Sequence, residues 1–275
     1  FGRFIKKISK AKHLAVDSES NSYFAYRPRV CLIQISADHR DFILDPWTLE
    51  DLSGLGRILA DSSVEKILHA AENDLIGFKK DFQFQVRNIF DTSVACRLLG
   101  RKRLGLARIL SEEFGIRLDK RYQRCNWEKR PLNSEQLYYA QLDTRFLIEL
   151  RDRLHHQLVE KNLLLQAKDE FARLERIRVK PPRVWDPDGY LHLKGVENLS
   201  ENSLRVLKEL FSYREHLARK TNKAPFRLIN NEVMMRLARE IPKNTQALRQ
   251  TRGLPMRFKG KGSQRLLRVI KRVKP

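Results

Sequence analysis

The amino-acid sequence predicts an α/β domain with a mixed sheet, followed by a small all-α domain. Three apolar runs close together near the N-terminus read as strands, and further short strands then alternate with helical patterns. Beyond residue 198 only short helical patterns remain. The chain is therefore predicted to contain an α/β domain over residues 1–177, a linker over 178–198 and a helical domain over 199–275.

The first domain opens with three strand-like segments, "HLAVD" (13–17), "VCLIQIS" (30–36) and "DFILD" (41–45). Their short spacing favours an antiparallel arrangement. The pattern then predicts a helix near 49–60, a strand at 65–70, a helix near 73–82 and a short strand at 88–91 that leads into another helix. Helical periodicity fills most of residues 104–177.

The boundary between the domains is predicted from residues that interrupt helices. Pro181, Pro182, Pro187, Gly189 and Gly195 all fall within residues 178–198. After them, apolar periodicity predicts helices over 201–220, 231–240, 244–251 and 264–273.

The charge is strongly positive and unevenly distributed. The chain of 275 residues carries a formal net charge of +22, and residues 199–275 hold 20 Lys and Arg against 5 Asp and Glu. Such a basic excess indicates a polyanionic partner, most often nucleic acid. Around a Gly-rich bend, Arg257, Lys259 and Lys261 are candidate phosphate contacts.

Two other partner classes are disfavoured. No apolar stretch approaches the ~18 residues that span a bilayer, and Gly and Pro interrupt the basic segments, so we expect no membrane partner. The three cysteines, Cys31, Cys96 and Cys125, are odd in number and lack CxxC spacing, which argues against a thiolate zinc site. They predict a reducing compartment: the cytoplasm or, in a eukaryotic cell, the nucleus or an organelle.

Five residues form the candidate site. Asp17 and Glu19 share one face at the end of the first strand, roughly 6.6 Å apart along the backbone. Asp74 follows a strand-to-helix junction, and Tyr139 and Asp143 are four apart on a predicted helix, so they share a face. Each pair alone is a weak signal, but four converging carboxylates would repel one another. Two divalent cations, Mg²⁺ or Mn²⁺, resolve that repulsion and suit phosphodiester hydrolysis.

The order of these motifs resembles a known family. "VDSE", "HAAENDL" and "YAQLD" resemble the three motifs of DEDDy 3′–5′ exonucleases. "RPRVCLIQIS", "FDTSVACRLLG" and "NWEKRPLNSEQLYYAQLD" are similar to ribonuclease D in particular. The basic tail, with "LFSYREHLARKTNKAPFRLINNEVMMRLAREIP" and "GLP", resembles an HRDC domain. Ser18 stands where ribonuclease D commonly has Thr, and one HRDC-like unit is visible.

The resemblance implies a fold and a role for each site residue. The fold would be an RNase H-like mixed-sheet exonuclease domain followed by a small all-α HRDC-type domain. Asp17 would bridge both metals, Glu19 and Asp143 would complete one site, Asp74 would support the other, and Tyr139 would orient the attacking water. A last group either lines the substrate cleft or is structural: His69, Gln34, Trp127 and Arg130.

The resemblance also implies a function. We expect a metal-dependent 3′–5′ exoribonuclease that releases nucleoside 5′-monophosphates from RNA 3′ ends during maturation or decay. The family suggests tRNA precursors as substrates, and nothing in the sequence indicates a protein partner. The alternatives are an exosome-type nuclear RNA exonuclease, a DNA 3′–5′ exonuclease and a catalytically silent RNA-binding scaffold. Loss of a motif acid would favour the scaffold, and none is lost.

Overall fold

A computed structural model describes residues 1–119, 121–179, 181 and 184–273. The chain divides into two compact units. The first contains Phe1–Asn21 and Arg29–Lys180, and the second contains Ser22–Pro28 and Pro181–Pro275. We call them the sheet unit and the helical unit.

The sheet unit contains five strands: β1 (His13–Ser20), β2 (Val30–Ala37), β3 (Arg40–Leu44), β4 (Glu65–Leu68) and β5 (Ile89–Asp91). Their order in the sheet is β3-β2-β1-β4-β5. β1, β2 and β3 are antiparallel neighbours, whereas β1, β4 and β5 run parallel. The predicted mixed sheet is therefore confirmed, and β1, which carries the first two acids, lies at its centre.

The described part of the same unit also contains the helices α1 (Gly2–Ile8), α2 (Ser53–Ala60), α3 (Glu72–Phe82), α4 (Thr92–Leu98), α5 (Leu106–Phe114), α6 (Ser134–Arg145), α7 (Leu147–Glu160) and α8 (Leu164–Glu175). A short 3₁₀ turn, Tyr122–Arg124, precedes α6. The sequence pattern did not predict α1, whose Phe4 and Ile8 nevertheless reach the core.

Alternation along β1 assigns its side chains to two different cores. Leu14 and Val16 join one apolar cluster, whereas Ala15 joins another that includes buried residues of α4, α7 and α8. Since successive strand residues point to opposite faces, Asp17 follows Ala15 and Ser18 follows Val16. The sheet thereby sends Asp17 towards one layer of helices and Ser18 towards the other.

Helix α6 is fixed against the antiparallel half of the sheet. A capping box starts it, with Asn133 accepting from the backbone N–H of Gln136 and the Gln136 side chain accepting from the backbone N–H of Asn133. Farther along, the hydroxyls of Thr144 and Ser36 of β2 are 2.7 Å apart and hydrogen-bonded. These contacts hold the face of α6 that carries the motif residues against β1 and β2.

The helical unit consists of α9 (Glu201–Thr221), α10 (Pro225–Leu228), α11 (Asn231–Glu240), α12 (Thr245–Gln250), α13 (Met256–Lys259) and α14 (Ser263–Ile270). Side-chain caps by Ser200, Asn230 and Asn244 start α9, α11 and α12. Its core is apolar and includes Leu210, Met234, Leu248 and Leu266. No helix in the described parts of the chain is long and apolar enough to cross a bilayer.

The expected linker differs from what the structure contains. Two 3₁₀ turns, Gly189–His192 and Val196–Asn198, lie within residues 178–198. Tyr190 is buried in the apolar core of the helical unit, and Val196 packs against it. Burial of these apolar side chains makes this segment part of the helical unit, which therefore starts earlier than residue 199.

The segment between β1 and β2, residues 22–28, also belongs to the helical unit rather than to the domain expected over residues 1–177. Tyr26 donates its hydroxyl hydrogen bond to Glu215, and the Arg219 guanidinium donates to the Tyr26 oxygen at 2.9 Å. The backbone N–H of Ala224 donates to the carbonyl of Phe24 at 2.8 Å. These long-range contacts leave no local pattern in the sequence.

Candidate active site

Three carboxylates converge at the C-terminal end of β1. Asp17 and Glu19 leave the strand on the same face, and Asp143 arrives from α6. One oxygen from each lies within 4.8 Å of the other two. The strand alternation and the position of α6 therefore produce the clustering that the sequence predicted for these three residues.

The fourth carboxylate, Asp74, is held through the residue between the two strand acids. It lies in the first turn of α3 and is 8% exposed. The Ser18 hydroxyl donates to Asp74 Oδ1 at 2.5 Å. Since Ser18 is directed away from the face of Asp17 and Glu19, the hydrogen bond ties Asp74 to the opposite side of the same strand.

The four carboxyl groups strongly affect one another. Burial raises the pKa of Asp17 and of Glu19 well above the usual range, and repulsion by neighbouring carboxylates raises both further. Burial and the charge of Asp74 raise the pKa of Asp143 to about 8. Burial also raises the pKa of Asp74 to about 7, against the opposing effect of its hydrogen bond with Ser18. Such a cluster carries its full negative charge at neutral pH only beside compensating positive charge.

The donor set fits a hard divalent cation. All the converging ligand atoms are carboxylate oxygens, which suit Mg²⁺ or Mn²⁺ better than a softer metal. Asp17, Glu19 and Asp143 offer one oxygen each within a space of ionic dimensions. A cation there would relieve the repulsion that raises their pKa values.

Tyr139 lies one helical turn before Asp143 and is 9% exposed. Its ring packs beside those of Trp127 and Tyr122, with centroids 6.1 and 6.0 Å away. Burial, followed by the charge of Asp143, raises the pKa of Tyr139. The phenol therefore stays protonated at neutral pH and can donate a hydrogen bond beside the carboxylates.

A cavity of about 380 Å³ opens beside Tyr139 and Asp143. Its other lining residues are Arg103, Leu104, Gly105, Leu106, Ala107, Arg108, Leu118 and Gln123. Arg108 pairs with Glu112 at 2.5 Å. Arg103 is exposed, and no ion pair, hydrogen bond or ring contact joins it to another described residue. We call this cavity, with its free cation at the rim, the Arg103 cleft.

Sequence reasoning did not single out Arg103. The available signal was the basic run Arg101–Arg103 directly before a helix, but Arg101 pairs with Glu113 at 2.5 Å and so is not free. Which cation of the run lines the cleft depends on how the segment before α5 packs, and this packing cannot be read from the run itself.

The four candidate cleft residues either make contacts within the fold or do not line the Arg103 cleft. His69 Nδ1 is 2.8 Å from the Thr92 hydroxyl, and burial lowers the pKa of His69. Trp127 is 1% exposed and packs behind Tyr139. Gln34 is fully buried on β2. The positions of His69 and Trp127 support the structural reading that the sequence left open.

Arg130 is also occupied by contacts within the fold. Its guanidinium donates to Asp45 at 2.6 Å, to the carbonyl of Trp127 at 2.6 Å and to the carbonyl of Cys31 at 3.0 Å. The same group lies over the Trp47 ring, 5.7 Å from its centroid. Since these bonds connect the segment before α6 to β2, Arg130 serves to hold the wall behind Tyr139.

The three basic candidates of the helical unit lie at its surface. Arg257 and Lys259 are exposed on α13, and Lys261 is exposed in the turn that follows. The Arg257 guanidinium lies over the Phe258 ring, 5.3 Å from its centroid. These side chains are accessible to an anionic partner.

Two family models match the chain. The model described as 3′-5′ exonuclease matches residues 1–159, and the model described as HRDC domain matches residues 203–270. The first match contains all five residues of the predicted site. The resemblance inferred from the motifs is thereby confirmed.

Curated relatives agree with both matches. Mouse exosome complex component 10 is 33% identical over 254 residues, which cover 88% of this chain and 28% of that protein. Ribonuclease D of Desulfotalea psychrophila is 31% identical over 251 residues, which cover 90% of this chain and 67% of that protein. The chain thus spans less than a third of the length of the exosome relatives that it matches.

Solved structures agree as well. The catalytic core of RRP6 from Trypanosoma brucei, as the C496S mutant, has a TM-score of 0.88 at 28% identity, covering 99% of this chain and 78% of that one. Escherichia coli RNase D has a TM-score of 0.66 at 26% identity, covering 98% and 72%. On its motifs, its site geometry and these matches, the chain belongs to the 3′–5′ exonuclease family and combines that domain with an HRDC domain.

Proposed function

We propose that this chain is a metal-dependent 3′–5′ exoribonuclease that releases nucleoside 5′-monophosphates from RNA 3′ ends. The observation that carries the proposal is the convergence of Asp17, Glu19 and Asp143 oxygens within 4.8 Å, beside the protonated hydroxyl of Tyr139. Apolar side chains would stabilise the fold better than clustered carboxylates of raised pKa, so the cluster indicates a functional role rather than a structural one. Their arrangement is suited to holding cations against a phosphodiester.

Two divalent ions, Mg²⁺ or Mn²⁺, are part of the proposal. Asp17, Glu19 and Asp143 would hold one, and Asp74, positioned by Ser18, would support the second together with Asp17. When bound, the ions supply charge neutralisation, an acidified water and stabilisation of the leaving oxygen. Among solved relatives, NrnC of Brucella melitensis has been described with bound Mg²⁺ (TM-score 0.55, 26% identity, 61% of this chain and 83% of that one).

The chain's own groups orient the reactants. Tyr139 donates or accepts one hydrogen bond with the attacking water, because its hydroxyl is protonated and lies beside Asp143. Arg103 has a free guanidinium at the rim of the cleft and would contact a phosphate of the bound strand. The cleft volume of about 380 Å³ is of the size of small-molecule sites and accommodates a terminal nucleotide.

RNA as substrate is supported by the relatives. Proteins named ribonuclease D and exosome complex component 10 match most of this chain. The 33% identity to mouse exosome complex component 10 favours a second candidate, an exosome-associated exonuclease, although this chain spans 28% of that protein. Maturation of tRNA precursors remains a prediction from the family resemblance, and the absence of a membrane partner remains a prediction from the apolar and basic patterns of the sequence.

A reducing compartment belongs to the same proposal. Cys31, Cys96 and Cys125 are free thiols, and burial raises the pKa of each. Protonated thiols, of which Cys31 and Cys96 are buried and Cys125 is half-buried, suit the cytoplasm or, in a eukaryotic cell, the nucleus or an organelle. Fractionation of the source cells with an antibody to the chain would test this placement.

The experiment uses matched RNA and DNA oligonucleotides with a 5′ label and either a free or a blocked 3′ end. With Mg²⁺ or Mn²⁺ we expect stepwise shortening of unblocked RNA, nucleoside 5′-monophosphates as products, and no shortening with EDTA. Faster shortening of DNA would favour the DNA exonuclease alternative. Binding of RNA without any metal-dependent shortening would favour the silent scaffold and overturn the proposal.

A further inference from the structure

A buried amide on β2 has no role in the fold that its contacts explain. Gln34 is 0% exposed, and neither its Oε1 nor its Nε2 has a hydrogen-bond partner within the described parts of the chain. Nearly all buried polar groups in proteins are hydrogen-bonded, so each exception calls for a reason. A residue kept only for packing would be apolar here, as Leu32, two residues away on the same face, is.

The strand register places this amide beside the carboxylate cluster. Gln34 pairs directly with Asp17 across the antiparallel β1–β2 ladder. Residues paired in this way point to the same face, with Cβ atoms about 4.5–5.5 Å apart. The amide therefore lies within side-chain reach of the Asp17 carboxylate, on the face where Asp143 arrives from α6.

The neighbours of Gln34 on that face are already satisfied. Ser36, two residues along the strand, donates to Asp41 at 2.6 Å and shares a hydrogen bond with Thr144. Leu32, two residues in the other direction, packs in an apolar cluster with Tyr139. Gln34, which lies opposite Asp17, therefore carries amide atoms for which neither Ser36 nor Leu32 offers a hydrogen-bond partner.

We propose that Gln34 is a positioning residue of the metal site, whose amide N–H donates to the Asp17 carboxylate when a cation is bound there. The inference rests on the proposed metal-dependent function. Ligating carboxylates are usually oriented by a second hydrogen-bond partner, and loss of that partner costs about 10–100-fold in metal affinity or activity. Ser18 already makes a bond of this kind to Asp74, at 2.5 Å.

The proposal predicts an unusual pairing of effects. Gln34→Met keeps the length of the side chain and removes the unpartnered amide. Its melting temperature without metal should equal or exceed that of the wild type, because no hydrogen bond of the metal-free fold is lost. Its affinity for Mn²⁺, measured by calorimetry on the full chain, should fall about 10–100-fold. The rise in melting temperature on adding Mn²⁺ should shrink accordingly.

The control is Ser263→Ala, at a buried hydroxyl of the helical unit that donates to the carbonyl of Gly260 at 2.8 Å. It removes this hydrogen bond, so it should lower the metal-free melting temperature and leave Mn²⁺ affinity within about twofold. Gln34→Leu repeats the test if Met packs badly. A variant at Gln34 that melts lower without metal but binds Mn²⁺ as the wild type does would make Gln34 structural and overturn the inference.

The two proposals fail differently. A wild-type chain that binds no Mn²⁺ and gains no thermal stability from it would refute the metal-dependent function itself. A wild type that binds Mn²⁺, together with Gln34 variants of equal affinity, would refute only the role of Gln34.

Discussion

The two units bury charge in opposite ways. In the helical unit, Arg214 is 7% exposed, and its guanidinium donates to the Asn231 side chain at 2.7 Å and to the carbonyl of Ile229 at 3.1 Å. Burial lowers the pKa of Arg214 only to about 10, so the group stays charged. In the sheet unit, the carboxylates of Asp17 and Asp143 are pushed towards protonation by burial and by one another.

The difference separates a structural charge from a functional one. Arg214 has its hydrogen-bond acceptors within its own unit and therefore needs nothing from outside to remain ionised. The carboxylate cluster needs a ligand of opposite charge before it can ionise fully at neutral pH. A buried charge that the fold leaves uncompensated is thus the better indicator of a site.

The largest expected effect is at Asp143. Asp143→Asn keeps the shape of the side chain but removes one ligand charge, so hydrolysis of RNA should fall by orders of magnitude in a single-turnover assay. Without metal, the same variant should melt at an equal or higher temperature, because repulsion within the cluster is relieved. Turnover near that of the wild type would contradict the assignment.

Arg214→Met supplies the opposite pattern and completes the comparison. It leaves Asn231 and Ile229 without their buried donor, so the melting temperature should fall, whereas the activity of the folded fraction should not change. If both variants affected stability and activity alike, the contrast between the two units would be wrong.

Tyr139→Phe should have the next largest effect. The ring would still pack beside Trp127 and Tyr122, and only the hydroxyl would be lost. The rate should fall roughly 10²–10³-fold, comparable with the loss of other single catalytic contacts. Calorimetry should show Mn²⁺ affinity unchanged, and Tyr138→Phe, at an exposed neighbour, should behave as the wild type. Loss of metal binding in Tyr139→Phe would make the residue structural.

Arg103→Ala should produce a smaller loss. A hydrogen bond between a guanidinium and a phosphate contributes about 1.5–3 kcal/mol, so the rate on short RNA should fall roughly 10–100-fold. Lys102→Ala removes the same charge from the adjacent exposed residue, which does not line the cleft, and should change the rate less than twofold. Equal effects of the two substitutions would indicate a general electrostatic contribution rather than a contact.

The smallest effect at low salt should come from the basic surface of the helical unit. Replacing Arg257, Lys259 and Lys261 by Ala should leave cleavage of short oligonucleotides intact. If all three contact phosphates, the slope of log affinity against log salt should become shallower by up to about 2 for single-stranded RNA. The control variant replaces Lys6, Lys7 and Lys10, three exposed lysines of the sheet unit, by Ala. Identical slopes for both triple variants and the wild type would show that these charges are merely solvated.

Local periodicity predicted much of the site. Alternation along β1 places Asp17 and Glu19 on one face, and helical spacing places Tyr139 one turn before Asp143; the structure has both. The unpartnered amide of Gln34 could not be predicted. The segment "VCLIQIS" predicts a buried strand regardless of which residue lies opposite Gln34. Its meaning depends on the register with β1, which is a long-range property.

The domain boundaries were predicted less well for the same reason. Proline and glycine between 178 and 198 mark breaks in helices, but the packing of Tyr190 into the helical core decides to which unit the segment belongs. Likewise, the place of residues 22–28 depends on Glu215 and Arg219, almost two hundred positions away. Composition and periodicity describe neighbours in sequence, and these contacts are between residues far apart along the chain.

Residues 22–28 have a consequence for biosynthesis. They leave the ribosome well before α9, which begins at Glu201 and contains their partners Glu215 and Arg219. At ~5–20 residues per second, the interval of about 170 residues lasts roughly 10–35 seconds. During this time the segment between β1 and β2, which contains Phe24 and Tyr26, lacks the hydrogen bonds that it makes with α9 and Ala224 in the folded chain. The nascent chain thus secures the loop next to Asp17 and Glu19 only after α9 has been translated.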